Sequence, residues 1–334
     1  MLEHGGQLKA AATRYGMPLD DWLDLSTGIN PNGWPVSCVS ASAWARLPEK
    51  EDGLEQAAQD YYATSLILPT AGSQAIIQAL PKLRAISRVG VPDMGYAEHA
   101  HAWQQAGHQL MILPHNNLGA VIEQLEVLIV INPNNPTGHS YSIETLLEWQ
   151  QQLNSRGGWL IIDEAFMDAM PNQSLMPYSP LPGLIILRSL GKFFGLAGAR
   201  VGFAAAEIKI LQLLADYLGP WAVSGPSREI ATQALMDEKW QQRTRVKLTK
   251  ASLRLFHLLS QYGLKPNGGT SLFQWVCTSE AEVIKDTLAR QGILVRLFKQ
   301  PQSLRFGMPK HDWDRLERAL RKEPSQNNLD ISRG

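Results

Sequence analysis

The chain has 334 residues, of which 44% are hydrophobic, so it is long and apolar enough for one large domain or two domains of moderate size. Its 31 basic and 31 acidic residues give a formal net charge of zero, and no dense basic run indicates nucleic acid or an anionic membrane as a partner. Cys38 and Cys277 form neither a disulfide framework nor a zinc-finger pattern. These properties indicate a cytoplasmic globular enzyme that acts on a small molecule.

The N-terminal stretch combines a short helical pattern, Gln7 to Tyr15, with a loop that runs from Asp24 to Pro31. Loops rich in Asx, Gly and Pro carry polar groups to functional sites, so this loop is a candidate part of a site. His4, taken alone, is an ordinary terminal histidine. The first residues lack a signal-peptide pattern, and no apolar run is long enough to span a membrane.

Between Leu66 and Ala205, short apolar runs alternate with amphipathic stretches such as Ser142 to Asn154. Strands that are apolar throughout and separated by helices favour a parallel sheet that is covered on both faces. The prediction is an α/β fold, with a large domain built on a mainly parallel sheet covered by helices and a smaller α+β domain. The predicted strands are Leu66 to Leu68, Val89 to Val91, Leu110 to Leu113, Val127 to Ile131, Leu160 to Ile162 and Leu184 to Leu187.

Polar side chains and glycines follow the ends of these strands, which is where parallel sheets bind ligands. Gly72 and Ser73 open a predicted helix, Ser73 to Leu83, whose free amides favour a phosphate group. Asp163 directly follows a buried strand, so its carboxylate needs a cationic partner such as a pyridinium nitrogen. Taken alone, Asp163 also fits a strand-end cap.

Two other strand ends add an aromatic ring and an amide. Tyr96 is suited to stack on a planar ligand, and Asn135 is suited to donate a hydrogen bond to a phenolate oxygen. The alternatives are a core tyrosine and a simple turn at Asn134-Asn135-Pro136-Thr137-Gly138. All the strand ends together suit one planar phosphorylated ligand, and such agreement among several strand ends is not expected by chance.

The stretch from Ser189 to Gly202 surrounds Lys192 with apolar residues and glycines. Burial favours the neutral amine of a lysine, and a neutral amine can add to an aldehyde. Ser189 and Arg200 supply a hydroxyl and a fixed cation, which suit a phosphate monoester. An aldehyde that carries a phosphate describes pyridoxal 5'-phosphate. The alternative is a glycine-rich turn between two strands with a lysine on its surface.

After Ala206 the pattern changes to helices followed by a few strands, which indicates the smaller α+β domain. The predicted helices are Ile208 to Leu218, Ser227 to Met236 and Glu238 to Tyr262, and the predicted strands are Ser271 to Val276, Ile293 to Arg296 and Leu304 to Phe306. We therefore divide the chain into an N-terminal segment that contributes to the small domain and the active site (1–40), a large cofactor-binding domain (41–206), linking helices with the small domain (207–322), and a loose tail (323–334).

Arg296 and Arg305 end apolar strand patterns, and each is suited to clamp a carboxylate or a phosphate. The alternative is a solvated charge at a strand end. His99 and His101 lie two residues apart with no third ligand nearby, which is more typical of a helix surface than of a zinc site. We therefore expect no metal.

Asn135-Pro136-Thr137-Gly138, Asp163-Glu164-Ala165, and Ser189-x-x-Lys192 with Arg200-x-Gly202 together resemble the signature series of the class I and II aminotransferases, a family of fold type I pyridoxal-phosphate enzymes. The resemblance implies this cofactor and a homodimer with sites at the subunit interface. It implies that Lys192 holds the cofactor aldehyde and moves protons. It implies that Asp163 pairs with the pyridine nitrogen, that Asn135 bonds the phenolic oxygen and that Tyr96 stacks on the ring. It also implies that Arg305 takes the substrate carboxylate and that the cofactor phosphate is held by Gly72, Ser73, Ser189 and Arg200.

The opening His4-Gly5-Gly6, followed by Asp24-Leu25-Ser26-x-x-Ile29-Asn30-Pro31, is similar to the threonine-phosphate decarboxylases of cobalamin biosynthesis. By that resemblance the substrate is O-phospho-L-threonine, and the residues around it are His4, Gly5, Gly28, Asn30, Asn135, Arg296 and Arg305. Relatives often carry Asn at the position of Gly28, so any contact there comes from the backbone. Leu47 stands where relatives commonly have a tyrosine that reaches the neighbouring subunit's cofactor phosphate.

Histidinol-phosphate aminotransferases share the other motifs and are the alternative within the family. The Cα bond that lies perpendicular to the cofactor ring is the one that breaks, so substrate orientation decides between decarboxylation and transamination. Motifs do not reveal that orientation. A non-catalytic sensor that keeps the fold is a further alternative, but such regulators usually bring a DNA-binding domain, and we expect none.

Overall fold

The structure is a computed structural model that describes residues 5–321. Within this range the chain forms two compact units. The larger unit comprises residues 32–248, and the smaller unit comprises residues 5–31 together with 249–321. Each unit has its own sheet and its own core.

The α-helices and β-strands are numbered in chain order. The helices are α1 (Leu8–Tyr15), α2 (Ala41–Ala45), α3 (Leu54–Tyr62), α4 (Ser73–Ala79), α5 (Glu98–Gln105), α6 (Ile143–Asn154), α7 (Ile208–Leu218), α8 (Gly225–Met236), α9 (Glu238–Gln261), α10 (Ala281–Ala289) and α11 (Trp313–Arg321). The strands are β1 (Leu23–Leu25), β2 (Leu68–Thr70), β3 (Arg88–Pro92), β4 (Gln109–Leu113), β5 (Val127–Ile131), β6 (Trp159–Asp163), β7 (Leu184–Ser189), β8 (Gly202–Ala205), β9 (Gly268–Thr270), β10 (Phe273–Cys277), β11 (Ile293–Lys299) and β12 (Gln302–Gly307).

The larger unit is built on a seven-stranded sheet in the order β2-β8-β7-β6-β5-β3-β4. Neighbouring strands are parallel from β7 to β4, whereas β8 runs antiparallel to both β7 and β2. Every residue of β5 is buried, as expected for a strand that helices cover on both faces. The structure thus confirms the predicted α/β fold with a mainly parallel sheet.

Helices α4, α5 and α7 bury apolar side chains against one face of this sheet. Ile76, Trp103 and Leu214 form one core cluster with Val127 and Ile129 of β5. Full burial of one such aliphatic side chain stabilises the fold by about 1.5–3 kcal/mol. This packing fixes the strands whose ends carry the candidate site residues.

In two of the predicted helices, the local sequence explains where the α-helix begins or ends. Helix α6 begins directly after Ser142, whose hydroxyl oxygen accepts a hydrogen bond from the Thr145 amide at 3.3 Å. The helix predicted for Ser73 to Leu83 is α-helical only to Ala79 and continues as a 3₁₀ turn, Leu80–Leu83. Pro81 explains the change because it has no N–H for the α-helical hydrogen bond.

A buried ionic cluster lies beside the strand ends of the larger unit. Arg188 on β7 is 1% exposed and donates to the Glu164 carboxylate at 2.7 Å and to the Asp168 carboxylate. Its guanidinium also lies over the Tyr62 ring at 4.5 Å. Burial raises the pKa of Glu164, while Arg188 opposes that rise. A buried cation with two carboxylates is costly to break, because either partner alone would be an uncompensated charge.

The smaller unit is a five-stranded sheet in the order β1-β11-β12-β10-β9. The predicted loop at Asp24 to Pro31 therefore needs correction, since Asp24 and Leu25 belong to β1, which pairs in parallel with β11. Leu25 is fully buried, and this burial explains the strand. Helices α9, α10 and α11 contribute Leu255, Leu288 and Leu316 to the same core cluster.

Neither a membrane-spanning helix nor a metal-binding cluster occurs in the part of the chain that the structure describes. Among residues 5–321, no helix combines the length and the apolar composition that crossing a membrane requires. Nor does this range bring three or more His, Cys, Asp or Glu side chains together in a way that could hold a metal ion.

Candidate active site

Strand register brings the predicted phosphate-binding residues to one edge of the larger sheet. Gly202 at the start of β8 pairs with Ser189 at the end of β7 and with Thr70 at the end of β2. Because β8 runs in the opposite direction, its first residues lie where the neighbouring strands end. Gly72 follows Thr70 after one residue and is the N-cap of α4.

Two glycines allow the backbone and Arg200 to meet closely at this edge. A Cβ at Gly72 would lie 2.7 Å from Arg200 Nη2, and a Cβ at Gly202 would lie 2.4 Å from the amide nitrogen of Ser73. Gly72 also has a φ of 76°, in the left-handed region that favours glycine. These contacts bring the first amides of α4 and the Arg200 guanidinium together beside Ser189, and we call this group of residues the phosphate cradle.

Asp163, at the end of β6, is a buried carboxylate with two hydrogen-bond donors. Its Oδ2 lies 2.9 Å from His99 Nε2, and its Oδ1 accepts from the Ala165 amide at 3.0 Å. Asp163 is 4% exposed and His99 is 2% exposed. With the carboxylate ionised, the imidazole nitrogen is the donor.

This contact corrects the interpretation of His99 as a residue of a helix surface. His99 lies on the buried side of α5, where Trp103 also points into the core. The His99 amide donates to the Tyr96 carbonyl at 3.2 Å, so Tyr96 and His99 belong to one turn at the start of α5. Their rings meet edge to face, with centroids 6.3 Å apart.

Tyr96 lies within electrostatic range of both Asp163 and Arg200. Burial raises the pKa of Tyr96 to about 12; Glu98 and Asp163 add to the rise, and Arg200 opposes it. The phenol therefore stays protonated at neutral pH, and it donates to Gln74 Oε1 at 3.0 Å. This bond connects Tyr96 to α4, the helix that begins at Gly72 and Ser73.

Lys192 and Asn135 lie in loops that follow these strands. Lys192 Nζ is 5.5 Å from the centroid of the Phe166 ring, and Phe166 comes three residues after Asp163. Asn135 is half-buried, and its neighbour Asn134 donates to the Met94 carbonyl at 2.9 Å. That bond ties the Asn135 loop to the segment that carries Tyr96.

The predicted substrate residues other than Asn135 belong to the smaller unit, apart from His4, which lies outside the described residues. Gly5 packs against Ser26, since a Cβ there would lie 2.4 Å from the Ser26 carbonyl oxygen. Gly28 is buried, and Asn30 is 3% exposed.

Arg296 and Arg305 lie inside β11 and β12, not at the strand ends that the sequence predicted. The hairpin pairing continues past them to Lys299 and Gln302, and this longer pairing accounts for the difference. Arg296 and Arg305 are directly opposite in the register, so both side chains project from the same face of the sheet.

Arg305 is a buried cation whose charge an anionic ligand would stabilise. Its guanidinium donates to the Ser26 carbonyl at 2.7 Å and lies 5.2 Å from the Phe273 ring centroid. Burial lowers the pKa of Arg305 to about 10, and Arg296 contributes to the decrease. The residue remains charged at neutral pH, and a carboxylate or phosphate beside it would offset both effects.

The residues of the larger unit fit pyridoxal phosphate. The close approach of the Arg200 guanidinium to the start of α4 suits a phosphate dianion, and the buried Asp163 carboxylate suits a protonated ring nitrogen. Lys192 follows Ser189 in the loop between β7 and β8, so a primary amine and a phosphate-binding hydroxyl belong to one short segment.

Comparisons with known proteins identify relatives of nearly the same length. The chain is 53% identical to the threonine-phosphate decarboxylase of Pseudomonas aeruginosa over 331 residues, which cover 97% of this chain and 99% of that protein. It is 39% identical to the threonine-phosphate decarboxylase of a Sinorhizobium species over 312 residues, which cover 91% and 92% of the two chains.

A solved structure gives the same fold. The histidinol-phosphate aminotransferase of Sinorhizobium meliloti in complex with pyridoxal-5'-phosphate aligns with a TM-score of 0.82 at 21% identity, covering 96% of this chain and 94% of that one. The family model for aminotransferase class I and II matches residues 42–322. The chain therefore belongs to the class I and II aminotransferase family.

Proposed function

We propose that the protein is a pyridoxal-phosphate-dependent decarboxylase that converts O-phospho-L-threonine into CO₂ and (R)-1-aminopropan-2-yl phosphate, a step of cobalamin biosynthesis. The observation that carries the proposal is the identity to threonine-phosphate decarboxylases over nearly the whole chain. The strand-edge site supports it, because an amine, a buried carboxylate and a phosphate cradle are the groups that such an enzyme needs.

The larger unit supplies the cofactor-binding residues of the proposal. Bound pyridoxal phosphate supplies an electron sink for the pair released when a bond at Cα breaks. Lys192 holds the cofactor and moves a proton at its Nζ, Asp163 binds the pyridine nitrogen, Asn135 binds the phenolic oxygen, and Tyr96 packs on the ring. The phosphate is held by Gly72, Ser73, Ser189 and Arg200.

The smaller unit supplies most of the substrate-binding residues. Arg305 binds the α-carboxylate through its guanidinium fork. The other residues proposed to surround the substrate are His4, Gly5, Gly28, Asn30, Asn135 and Arg296. Their task is orientation, because the carboxylate must point along the direction in which the bond to Cα breaks, and a hydrogen in that place would lead to transamination.

The test is an assay of the purified protein with its cofactor. With O-phospho-L-threonine we expect CO₂ and the amino alcohol phosphate in a one-to-one ratio, and no keto acid. With histidinol phosphate and 2-oxoglutarate we expect no glutamate. Glutamate from the second pair without CO₂ from the first would overturn the proposal in favour of the aminotransferase.

We also propose that the protein is a homodimer. Trp44 is 73% exposed and Leu47 is 64% exposed, and large apolar side chains of this exposure favour an interface. Light scattering should give twice the 37.0 kDa of the chain. Trp44→Lys should shift the mass toward the monomer, and a monomeric wild type would exclude the dimer.

A cytoplasmic location is proposed from the cysteines. Cys38 and Cys277 are both exposed thiols that form no disulfide, which is the state that a reducing compartment maintains. Fractionation of cells that express the tagged protein checks this location, and recovery from an oxidising compartment would contradict it.

A further inference from the structure

A cavity in the smaller unit contains two basic residues, Arg14 and Lys285, to which no role has been given so far. Its volume is about 210 Å³, several times the roughly 30 Å³ that one water occupies in the liquid. The wall includes Gly5, Gly6 and Ser26 together with Arg14, Lys285 and Arg296. We call it the basic cavity.

Three separate elements bring the three cations to the basic cavity. Arg14 lies on α1, Lys285 on α10 and Arg296 on β11. Among the described residues that line the cavity there is no Asp or Glu. Converging like charges repel one another, so this arrangement favours an anion between them.

Two acidic residues that are close in sequence to lining residues have partners of their own. Asp286, next to Lys285, forms an ion pair with Arg290 at 2.8 Å and accepts a hydrogen bond from Tyr15 at 2.8 Å. Asp24 accepts from both the amide and the hydroxyl of Ser26, at 2.8 and 2.6 Å. The hydrogen bond from Arg290 lowers the pKa of Asp286 and the charge of Arg14 adds to that decrease, so Asp286 offsets part of the charge of Arg14, whereas the described wall itself contains no acidic side chain.

The remaining wall is backbone that is held close to Ser26. The Gly6 amide donates to Ser26 Oγ at 2.8 Å, and a Cβ at Gly5 would meet the Ser26 carbonyl. Helix α1 begins at this wall, since its N-cap Gln7 lines the cavity and makes no side-chain capping bond. The positive end of the helix thus adds to the field of the three cations.

We propose that the basic cavity binds the phosphoryl group of the substrate, with Arg14 and Lys285 as residues that select a phosphorylated amino acid over its unphosphorylated form. The inference rests on the proposed function and deepens it. Arg305 is buried and is the residue proposed for the carboxylate, whereas the basic cavity offers several cationic donors, as a dianion requires.

The experiment compares the holoenzymes of Lys285→Gln and Arg14→Gln with wild type. Each variant loses a charge-assisted hydrogen bond, so we expect KM for O-phospho-L-threonine to rise about 10- to 100-fold while kcat changes less than about threefold. Lys285→Arg keeps the charge and should restore KM to within about threefold. Lys9→Gln, an exposed lysine of α1 that does not line the cavity, is the matched control and should behave like wild type.

Direct binding of inorganic phosphate separates this inference from the proposed function. Calorimetry should show phosphate binding to wild type and to Lys9→Gln, and binding at least tenfold weaker to Lys285→Gln and Arg14→Gln. If wild type decarboxylates O-phospho-L-threonine but both variants keep its KM and its phosphate affinity, the basic cavity is excluded and the proposed function stands. If wild type releases no CO₂ but the variants lose phosphate binding, the proposed function fails and the anion site remains.

Discussion

Replacing His99 by Phe tests whether the buried imidazole prepares Asp163 for the cofactor. The change keeps a ring of similar size against Tyr96 but removes the donor that lies 2.9 Å from Asp163 Oδ2. The Ala165 amide remains on Oδ1, so the carboxylate keeps one of its two protein donors.

The size of the effect follows from the burial of both partners. The two side chains are 3% and 5% exposed, so water does not replace the lost bond. A hydrogen bond to a charged group contributes about 1.5–3 kcal/mol, which corresponds to roughly 10- to 150-fold in an equilibrium constant. We therefore expect the apoprotein of His99→Phe to bind pyridoxal phosphate about 10- to 150-fold more weakly and to turn over more slowly.

Titration of the apoprotein with pyridoxal phosphate, followed by absorbance, measures this affinity. His99→Gln is the matched variant, because its side-chain amide can still donate to the carboxylate and should recover most of the affinity. His101→Phe, two residues along the same helix, should bind as wild type does. Wild-type affinity and turnover in His99→Phe would show that the imidazole does not support Asp163.

Three further predictions concern the phosphate cradle, the lysine proposed to hold the cofactor, and the stability of the fold at low pH. Gly72→Ala places a methyl group against the Arg200 guanidinium and imposes a φ of 76° on a residue with a Cβ, so pyridoxal phosphate should bind at least about tenfold more weakly. Gly198→Ala is the control and should bind the cofactor normally, because its Cβ would meet nothing within 4 Å. Equal affinities would contradict this clash. Lys192→Ala should abolish turnover and the visible absorbance of the bound cofactor, and an unchanged spectrum would exclude Lys192 as the anchor. The third prediction concerns Asp52: burial tends to raise the pKa of its carboxyl, but hydrogen bonds from Arg228 outweigh this effect and the pKa is lowered. Its contribution to stability is therefore complete above the unfolded pKa of about 3.9 and is lost as the pH falls through the lower folded pKa. Circular dichroism should thus show a shallower acid loss of stability for Asp52→Asn, and coincident acid profiles would refute the assignment.

Sequence patterns predicted the central strands β5, β6 and β7 well because these strands are buried and apolar along almost their whole length, whereas β2 lies at Leu68–Thr70 and not at the predicted Leu66 to Leu68. Val127–Ile131 was predicted with both ends correct, and the buried runs before Asp163 and Ser189 placed those residues at strand ends. The carboxyl edge of a parallel sheet is a property of chain direction, so the grouping of these residues followed without knowledge of the packing.

Side-chain partners that join distant parts of the chain were not predictable in the same way. His99 and Asp163 are 64 residues apart, and no local pattern indicates that contact. Arg188 looked like an ordinary residue of an apolar strand, although it is the centre of a buried ionic cluster. Gly28 and Asn30 came from the resemblance, and the parallel pairing of the preceding strand β1 with β11 was not indicated by the sequence.

The cluster around Arg188 has a consequence for the apoprotein. Arg188 immediately precedes Ser189 in the phosphate cradle, and Glu164, its carboxylate partner, immediately follows Asp163. The ion pair therefore helps to fix the distance between Ser189 and Asp163, the two residues proposed to bind opposite ends of the cofactor. Such preorganisation lowers the entropy lost on binding, because the separation of these groups is already set when the cofactor arrives.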